Sequence, residues 1–374
     1  MAGTIPAVRK HIIDAIAAEA RKLTDRELPM RLSSFVRPYF NGVPAEDLKS
    51  GEPATFAAAA AGHLEFGRIR KPGEARVRVF NPTDAKDGWH SAFTVVEVVT
   101  DDMPFLLDSL KILLDDCRLE IQLMVHPVMK VRRDKRGRMS RAEEATSGGK
   151  DNESWQHIEI DRIGSPEERE KLRERLLAAL GDVRIAVADW PEMRTNAQDI
   201  SRSLLAGVPG ISRAESAEAS VFLDWLADDF FTFLGYREYR LERGRKTDRL
   251  VAVPGSGLGL LRTGPGRRRP APTMLSGDVR DKAREPTVLV VTKANSISTV
   301  HRATYLDYVG VKTFDSRGRV KGERRFIGLF TSRTYTTNPR EIPLLRRKVQ
   351  RVFEHFGVSP VSHDGKALIN AVSY

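Results

Sequence analysis

Cysteine is almost absent from this sequence, in which Cys117 is the single cysteine among 374 residues. One thiol excludes an internal disulfide framework and is typical of proteins from a reducing compartment. No apolar run approaches the roughly 20 residues that a membrane-spanning helix needs, and the N-terminus lacks the continuous apolar core of a secretory signal. We therefore expect a cytoplasmic protein that does not associate with membranes.

Basic residues, in contrast, are in excess. Lys and Arg total 61 against 50 Asp and Glu, which gives a formal net charge of +11 and a pI near 9.8. Such an excess is compatible with a nucleic-acid surface, an acidic partner or scattered solvated charge. The two densest basic clusters, at 267–269 and 346–348, have no adjacent aromatic residues that could stack on bases. This pattern favours solvated charge and argues against nucleic acid as a partner.

Familiar cofactor and metal motifs are also missing. The segment Gly255-Ser-Gly-Leu-Gly259 places its third glycine one residue too early for a dinucleotide fingerprint, and the Leu-Leu-Arg-Thr-Gly-Pro that follows cannot continue a long helix. We interpret it as a structural loop. The eight histidines are dispersed, without HxxxH or HxH spacing. We therefore predict no catalytic residue, no cofactor-binding residue and no metal ligand in this chain.

Residues 93–190 show the clearest periodicity. Residues 93–99 are nearly all apolar or β-branched, which predicts a strand buried on both faces. A helix follows, then period-two segments near 121–129 and 155–161, a helix from Pro166 to a stop at Gly181, and an alternating strand at 183–187. The order strand, helix, strand, strand, helix, strand is the βαββαβ plan of ferredoxin-like domains.

Carboxylates cluster around the first helix of this plan, at Asp101, Asp102, Asp108, Asp115 and Asp116. One interpretation is a cation or ammonium site at the turn between strand and helix. The other is a capping pair followed by a solvated face, and we favour it because acidic residues are common at helix starts.

The second half of the chain predicts a different α+β unit. A connector spans residues 198–211, a helix covers 222–233, and later strands at 233–241, 250–253, 287–292, 299–311 and 325–331 predict an antiparallel sheet. A final helix covers 342–356. A new apolar pattern then begins at Lys366 and stops at Tyr374, so we expect the natural protein to continue.

Several long blocks of this sequence resemble the N-terminal region of the large-subunit type of bacterial NAD-specific glutamate dehydrogenase. The first block is Thr94-Val-Val-Glu-Val-Val-Thr-Asp-Asp-Met-Pro-Phe-Leu-Leu-Asp-Ser109 with His126-Pro127. Others begin at Trp225, Pro254, Thr292, Ser298, Tyr305, Gly322 and Ser362. The resemblance extends from about Val8 to Asn370 and is much more specific than a three-glycine pattern.

The resemblance implies a particular domain organisation. It comprises a helical segment (1–70), an ACT-like domain of ferredoxin fold (71–192), a connector (193–213), a PAS-like domain with an antiparallel sheet (214–337), and the helical start of a further, truncated ACT-like domain (338–374). It also implies a parent enzyme that deaminates L-glutamate with NAD, a dehydrogenase domain beyond residue 374, and a regulatory role in a homo-oligomer for the present segment.

ACT domains often bind an amino-acid effector at the turn after their first strand, where the common pattern is Asp-x-Pro-Gly-Leu-Leu. By this resemblance the candidate effector-binding residues are Asp101, Asp102, Pro104, Phe105, Asp108 and Ser109. Phe105 replaces the glycine that would let a ligand approach the backbone, which favours an ACT fold used for packing. Two alternatives remain open, a basic RNA-binding protein that uses a ferredoxin-like sheet and a stand-alone amino-acid-sensing ACT protein.

Overall fold

The computed structural model of the protein describes residues 5–23, 28–149, 151–264, 270–359, 362–365 and 367. The chain divides into two compact units. The first comprises residues 1–183 and 299–302, and the second comprises residues 184–298 and 303–374. None of the helices within the described ranges combines the length and the apolar composition required to cross a membrane.

The first unit consists of an N-terminal group of helices and an antiparallel sheet. Its elements are α1 (Ile5–Ala20), α2 (Leu32–Phe40), α3 (Ala45–Lys49), α4 (Pro53–Phe66), β1 (Arg76–Phe80), α5 (Asp84–Asp87), β2 (Thr94–Asp101), α6 (Leu106–Asp116), β3 (Ile121–Val125), β4 (Val128–Arg133), β5 (Met139–Glu144), β6 (Asn152–Ile160) and the first part of α7 (Pro166–Leu205). One core joins α1, α2 and α4 to the sheet, and the indole of Trp155 in β6 lies fully buried within it.

The sheet of this unit is six-stranded, with the order β1-β2-β6-β4-β5, and β3 also pairs with β6. All of these pairs are antiparallel. Seven of the eight residues of β2 are buried, as expected for a run of branched apolar residues covered on both faces. The predicted strand at 93–99 and the helix after it are therefore confirmed, and both meet at the predicted effector turn.

The predicted fourth strand at 183–187 is wrong, because these residues lie inside α7. Val183 and Ala186 are buried whereas Val187 is only partly so, which is the spacing of a helical stripe and not of a strand. Gly181 does not end the helix, and the predicted connector is helical as far as Leu205. The βαββαβ order is consequently not the order of this unit.

Two further differences lie in the predicted strands of the first unit. The single strand expected over 121–129 is divided into β3 and β4, with Pro127, which has no amide hydrogen to donate to a ladder, between them. The polar insertion before Gly149 contains β5, which pairs with β4 in a hairpin. Polar residues dominate β5, so its periodicity is too weak to predict a strand.

The second unit is built on a larger antiparallel sheet. Its elements are the rest of α7, α8 (Arg213–Trp225), a π-helical turn (Leu226–Phe230), β7 (Phe231–Glu242), β8 (Asp248–Ala252), β9 (Leu258–Gly259), β10 (Thr273–Leu275), α9 (Gly277–Arg284), β11 (Leu289–Ile297), β12 (Tyr305–Phe314), β13 (Val320–Phe330), α10 (Ser332–Thr336) and α11 (Leu345–Phe356). The sheet order is β10-β8-β7-β13-β12-β11, and β9 pairs with β7.

Most of the predicted elements of this unit are confirmed, including α8, α11 and the long strand β7. A tight hairpin joins β12 to β13, and in it the Asp315 carboxylate accepts hydrogen bonds from the amides of Arg317 and Arg319. The strand predicted over 299–311 begins only at Tyr305. The basic cluster at 267–269 and the apolar pattern at 368–374 lie outside the described residues.

Candidate functional site

The predicted effector turn lies between the end of β2 and the start of α6. Asp101 is the last residue of β2, and its carboxylate lies 2.8 Å from Nη2 of Arg70 and accepts a hydrogen bond from the amide of Gly73 at 3.0 Å. The Asp101 carboxylate is therefore already bound by groups of the protein itself. The N-cap residue of α6 is Phe105, which makes no side-chain capping bond, so the expected capping of this helix by aspartate is wrong.

Phe105 adopts the left-handed conformation, with φ of 71°. It does so at the position where the common ACT pattern has glycine, the residue that adopts this conformation most readily. The ring of Phe105 lies 4.6 Å from the ring of His301, centroid to centroid, and His301 belongs to the short segment 299–302 of the same unit. The amide of His301 also donates a hydrogen bond to Oγ of Ser109 at 3.3 Å.

These contacts cover one side of the turn. Asp108 is exposed and its carboxylate lies 3.6 Å from Nδ1 of His301, while Asp102 and Pro104 are exposed on the turn itself. The structure thus brings the six predicted residues together around the start of α6, and it places three of them against His301.

The glycine segment at 255–259 lies between two strands of the second unit. Leu258 and Gly259 form β9 and pair with β7, and the residues described directly after them, 260–264, are not helical. The amide of Gly259 donates to the carboxylate of Asp189 at 2.7 Å, and Arg262 binds the same carboxylate. In a dinucleotide loop such an amide would face the pyrophosphate, whereas here it donates its hydrogen bond to a side chain of the same unit.

Three residues far apart in sequence form the most unusual polar cluster of the described chain. His63 lies in α4, Glu97 in β2 and His157 in β6, all three are buried, and one donor atom from each lies within 4.8 Å of the other two. Nδ1 of His157 is 3.4 Å from Oε1 of Glu97. We name these residues the buried His–Glu–His cluster.

A second set of side chains surrounds the buried His–Glu–His cluster. The hydroxyl of Tyr39 lies 2.8 Å from Nδ1 of His63, and Nε of Arg78 donates to Oε2 of Glu97 at 2.6 Å. Oε1 of Glu159 lies 3.7 Å from Nε2 of His157. One ring nitrogen, Nε2 of His63, is buried without a hydrogen-bond partner.

The electrostatics of the cluster separate its two histidines. Burial lowers the pKa of His63 to about 4, against the opposing effects of the Glu97 carboxylate and the Val98 carbonyl. Burial also opposes a proton on His157, but the Glu159 and Glu97 carboxylates raise its pKa to about 9. Burial would raise the pKa of Glu97, yet the two histidines and Arg78 lower it to about 2. At neutral pH the cluster therefore contains a charged His157–Glu97 pair beside a neutral imidazole.

Sequence reasoning missed this cluster because it looked for histidines at short spacing. The sequence did contain one signal, a charged residue in the middle of a strand that is otherwise apolar. A buried carboxylate on such a strand needs hydrogen-bonding partners, and Glu97 has two, the buried His157 and the half-buried Arg78.

Comparisons with known families match two parts of the chain. The model described as "Glutamate dehydrogenase, ACT1 domain" matches residues 35–176, and the model described as "Glutamate dehydrogenase, helical motif 1" matches residues 342–373. The first match begins within α2 and includes α3, α4 and the strands of the first sheet, but not α1. The second includes α11.

Individual relatives extend the similarity over almost the whole chain. The protein from Halomonas elongata named "NAD-specific glutamate dehydrogenase" is 34% identical over 365 residues, which cover 96% of this chain and 23% of that protein. The protein of the same name from Pseudomonas aeruginosa is 34% identical over 94% of this chain and 22% of its own length. A third, from Mycobacterium tuberculosis, is 26% identical over 84% of this chain. The chain thus spans less than a quarter of the length of these relatives.

Proposed function

This chain belongs to the family of NAD-specific glutamate dehydrogenases, and we propose that it is the N-terminal regulatory and assembly region of such an enzyme. The observation that carries the proposal is the match of residues 35–176 to the ACT1 domain of glutamate dehydrogenase, set within similarity over 96% of the chain. The complete enzyme would convert L-glutamate, NAD and water to 2-oxoglutarate, ammonia and NADH in a dehydrogenase domain outside this chain.

Within this proposal the first sheet belongs to an ACT-like domain and the second to a PAS-like domain. The ACT1 match supports the first assignment. The succession of α8 and a seven-stranded antiparallel sheet supports the second, because a helix followed by such a sheet fits a PAS-like unit. In this scheme residues 1–70 are a helical segment, 71–192 and 214–337 are the two domains with 193–213 between them, and 338–374 begin a further part of the enzyme.

We propose that this segment does not itself catalyse the oxidation of glutamate. The use of the Gly259 amide by Asp189 supports this, because it commits the most glycine-rich loop of the chain to an internal contact. The test is to incubate the purified 374-residue chain with L-glutamate and NAD and to follow NADH absorbance. We expect no rate above that of a protein-free blank. Glutamate-dependent formation of NADH would contradict the proposal.

The assembly role predicts that the chain associates with itself. NAD would bind only the complete enzyme, whereas the oligomer contacts would reside in this segment. Size-exclusion chromatography with light scattering on the purified chain measures its mass directly, and we expect a mass at least twice that of one chain. A monomer at all soluble concentrations would contradict the assembly role without affecting the family assignment.

The regulatory role predicts an amino-acid effector at the start of α6. Asp102 would accept the ammonium group, and the first-turn amides of α6 would bind the carboxylate, as helix N-termini bind anions. The His301 ring packs on Phe105 beside this turn, whereas Asp102 is exposed to a ligand. Calorimetry with the common amino acids should show heat for the wild-type chain and none for Asp102→Asn. No heat with any of them would contradict the effector site.

The findings do not favour the two alternative functions. The proteins that match this chain over 94–96% of its length are named NAD-specific glutamate dehydrogenases. In the second basic cluster Arg346 and Arg347 both bind the Glu218 carboxylate. An RNA-binding protein would show an affinity that falls steeply with salt. Filter binding at two salt concentrations tests that alternative, and we expect no salt-sensitive retention of RNA.

A further inference from the structure

We propose that the buried His–Glu–His cluster is a binding site for one divalent transition-metal ion, and that Zn²⁺ is the ion that its donor set fits best. Two imidazoles and one carboxylate are the ligands of a well-known type of zinc site. The proposal concerns this chain alone and does not depend on the function of the complete enzyme.

The positions of the donor atoms support the site. Zinc bonds to histidine nitrogen and carboxylate oxygen are about 2.0–2.2 Å long, which separates tetrahedral donors by about 3.4 Å. The pair formed by His157 Nδ1 and Glu97 Oε1 already has this separation, at 3.4 Å. A ligand atom of His63 lies within 4.8 Å of a ligand atom of each of the other two residues, and closing the site requires these side chains to move closer together.

The free nitrogen of His63 is the second observation that points to a ligand. Nε2 of His63 is fully buried and makes no hydrogen bond of normal length and angle, although the Val98 carbonyl favours the protonated form of the ring. An atom left in this state is costly in a protein interior. With the ring proton on Nδ1, donated to the hydroxyl of Tyr39, the lone pair of Nε2 is available to a metal ion. A metal ion would satisfy this atom.

Each ligand residue also has a polar partner at the atom that faces away from the metal site, as ligands in metal sites usually do. Tyr39 holds the far nitrogen of His63, Arg78 holds the far oxygen of Glu97, and Glu159 faces the far nitrogen of His157. A carboxylate behind a histidine raises the basicity of that ligand and fixes its orientation. The chain therefore supplies three ligands and a partner for each.

Loading the site exchanges a proton for the metal ion. The His157 nitrogen that faces Glu97 gives up its proton to solvent, and its lone pair forms the bond to the metal. The three ligands come from α4, β2 and β6, so the ion would link the helical layer to the sheet. Because ligands that bind only the folded state stabilise it, Zn²⁺ should raise the unfolding temperature of the chain.

The test uses the complete 374-residue chain without a histidine tag, freed of metal with a chelator. Titration with Zn²⁺ against a chromophoric chelator, and with Co²⁺ followed by visible absorption, measures stoichiometry and coordination. We expect one ion per chain, a tetrahedral-type Co²⁺ spectrum and a Zn²⁺-dependent increase in unfolding temperature. Absence of any stoichiometric ion would overturn the proposal.

Two variants and one control identify the site. His63→Phe should lose the ion while retaining the aromatic packing on Trp155, and His90→Ala, which removes an exposed histidine of the same unit, should bind as the wild type does. Equal binding by His63→Phe and wild type would overturn the proposal. If His63→Phe does not fold, Tyr39→Phe is the variant that tests the site. It leaves all three ligands in place and should weaken Zn²⁺ binding about 10–100-fold. An unchanged affinity for Zn²⁺ would count against the site.

Discussion

Gly67 lies directly against the indole of Trp155, so closely that a β-carbon at position 67 would overlap the six-membered ring. The indole cannot move aside easily, because it is fully buried and packs on Phe35 at 5.4 Å and on His63 at 4.9 Å between ring centroids. Gly67 has an ordinary φ of −81°. Close approach, and not backbone conformation, is therefore what requires glycine here.

The first prediction is that Gly67→Ala destabilises the protein. Forcing a methyl group into a packed core costs about 1–3 kcal/mol, and urea denaturation followed by tryptophan fluorescence would measure this loss. The control is Gly181→Ala, where nothing lies within 4 Å of the added carbon. Since Gly181 is inside α7, alanine there should raise stability by about 0.5–1 kcal/mol. Equal stability of the two variants would show that the indole adjusts freely.

The second prediction concerns Glu153, a buried carboxylate shared by two arginines. Nη2 of Arg70 donates to Oε1 at 2.7 Å, and Arg133 donates to both oxygens at 2.6 and 2.8 Å. The side chains of Arg70 and Arg133 are both less than a tenth exposed. Glu153→Ala leaves two buried cations short of a partner, so the free energy of unfolding should fall by about 3–5 kcal/mol.

The matched control for Glu153 is an ion pair on the surface. Glu170 pairs with Arg173 three residues later on α7, and its side chain is 55% exposed. Exposed pairs of this kind contribute little to stability because water and salt screen them, so Glu170→Ala should unfold at nearly the wild-type denaturant concentration. A loss at Glu153 no larger than the loss at Glu170 would mean that Asp101 compensates Arg70 and that the carbonyls of Gly67 and Gly137 compensate Arg133.

The third prediction separates strain from packing at Phe105. Phe105→Ala removes the ring that contacts His301, which costs about 0.5–1.5 kcal/mol, and keeps the left-handed backbone at a residue with a β-carbon. Phe105→Gly loses the same ring but relieves a backbone strain of about 1 kcal/mol. The glycine variant should therefore be more stable than the alanine variant in thermal unfolding. The reverse order would show that the turn relaxes when the ring is removed.

The elements that the sequence predicted correctly are those whose pattern of apolar residues fits only one type of secondary structure. The run of branched residues around Val96 allows only a buried strand, and the five apolar residues of α11 recur at helical spacing, so both were found. The segment at 183–187 is short, and its residues fit either period. In the structure this segment lies inside α7. Whether such a segment is a strand or a helix depends on which of its residues are buried, and a single sequence does not show this.

The buried His–Glu–His cluster was beyond prediction for a different reason. Glu97 and His157 are separated by 60 residues and meet only because β2 and β6 pair in the register that places Glu97 opposite His157. His63 reaches them from a helix. Strand register and helix packing are properties of the tertiary structure, so the spacing of residues within one segment does not predict them. The residues of the predicted effector turn, in contrast, are continuous in sequence and lie together at the start of α6.

The fourth prediction is a dependence of stability on pH at His126. This partly buried histidine lies between β3 and β4, where Nε2 is 3.0 Å from Oγ of Ser154. Burial lowers the pKa of His126 below its ordinary value of 6.5, Lys111 adds to this effect and Asp102 opposes it. Well above pH 6.5 the imidazole is neutral in both the folded and the unfolded chain. As the pH falls below 6.5, the unfolded chain gains a proton that the folded chain resists, so the free energy of unfolding decreases until the pH passes the folded-state pKa.

His126→Gln, which cannot take up this proton, should therefore lose less stability than the wild type between about pH 7 and pH 5 in urea denaturation. Parallel pH profiles for the two proteins would show that His126 takes up its proton equally well in the folded state.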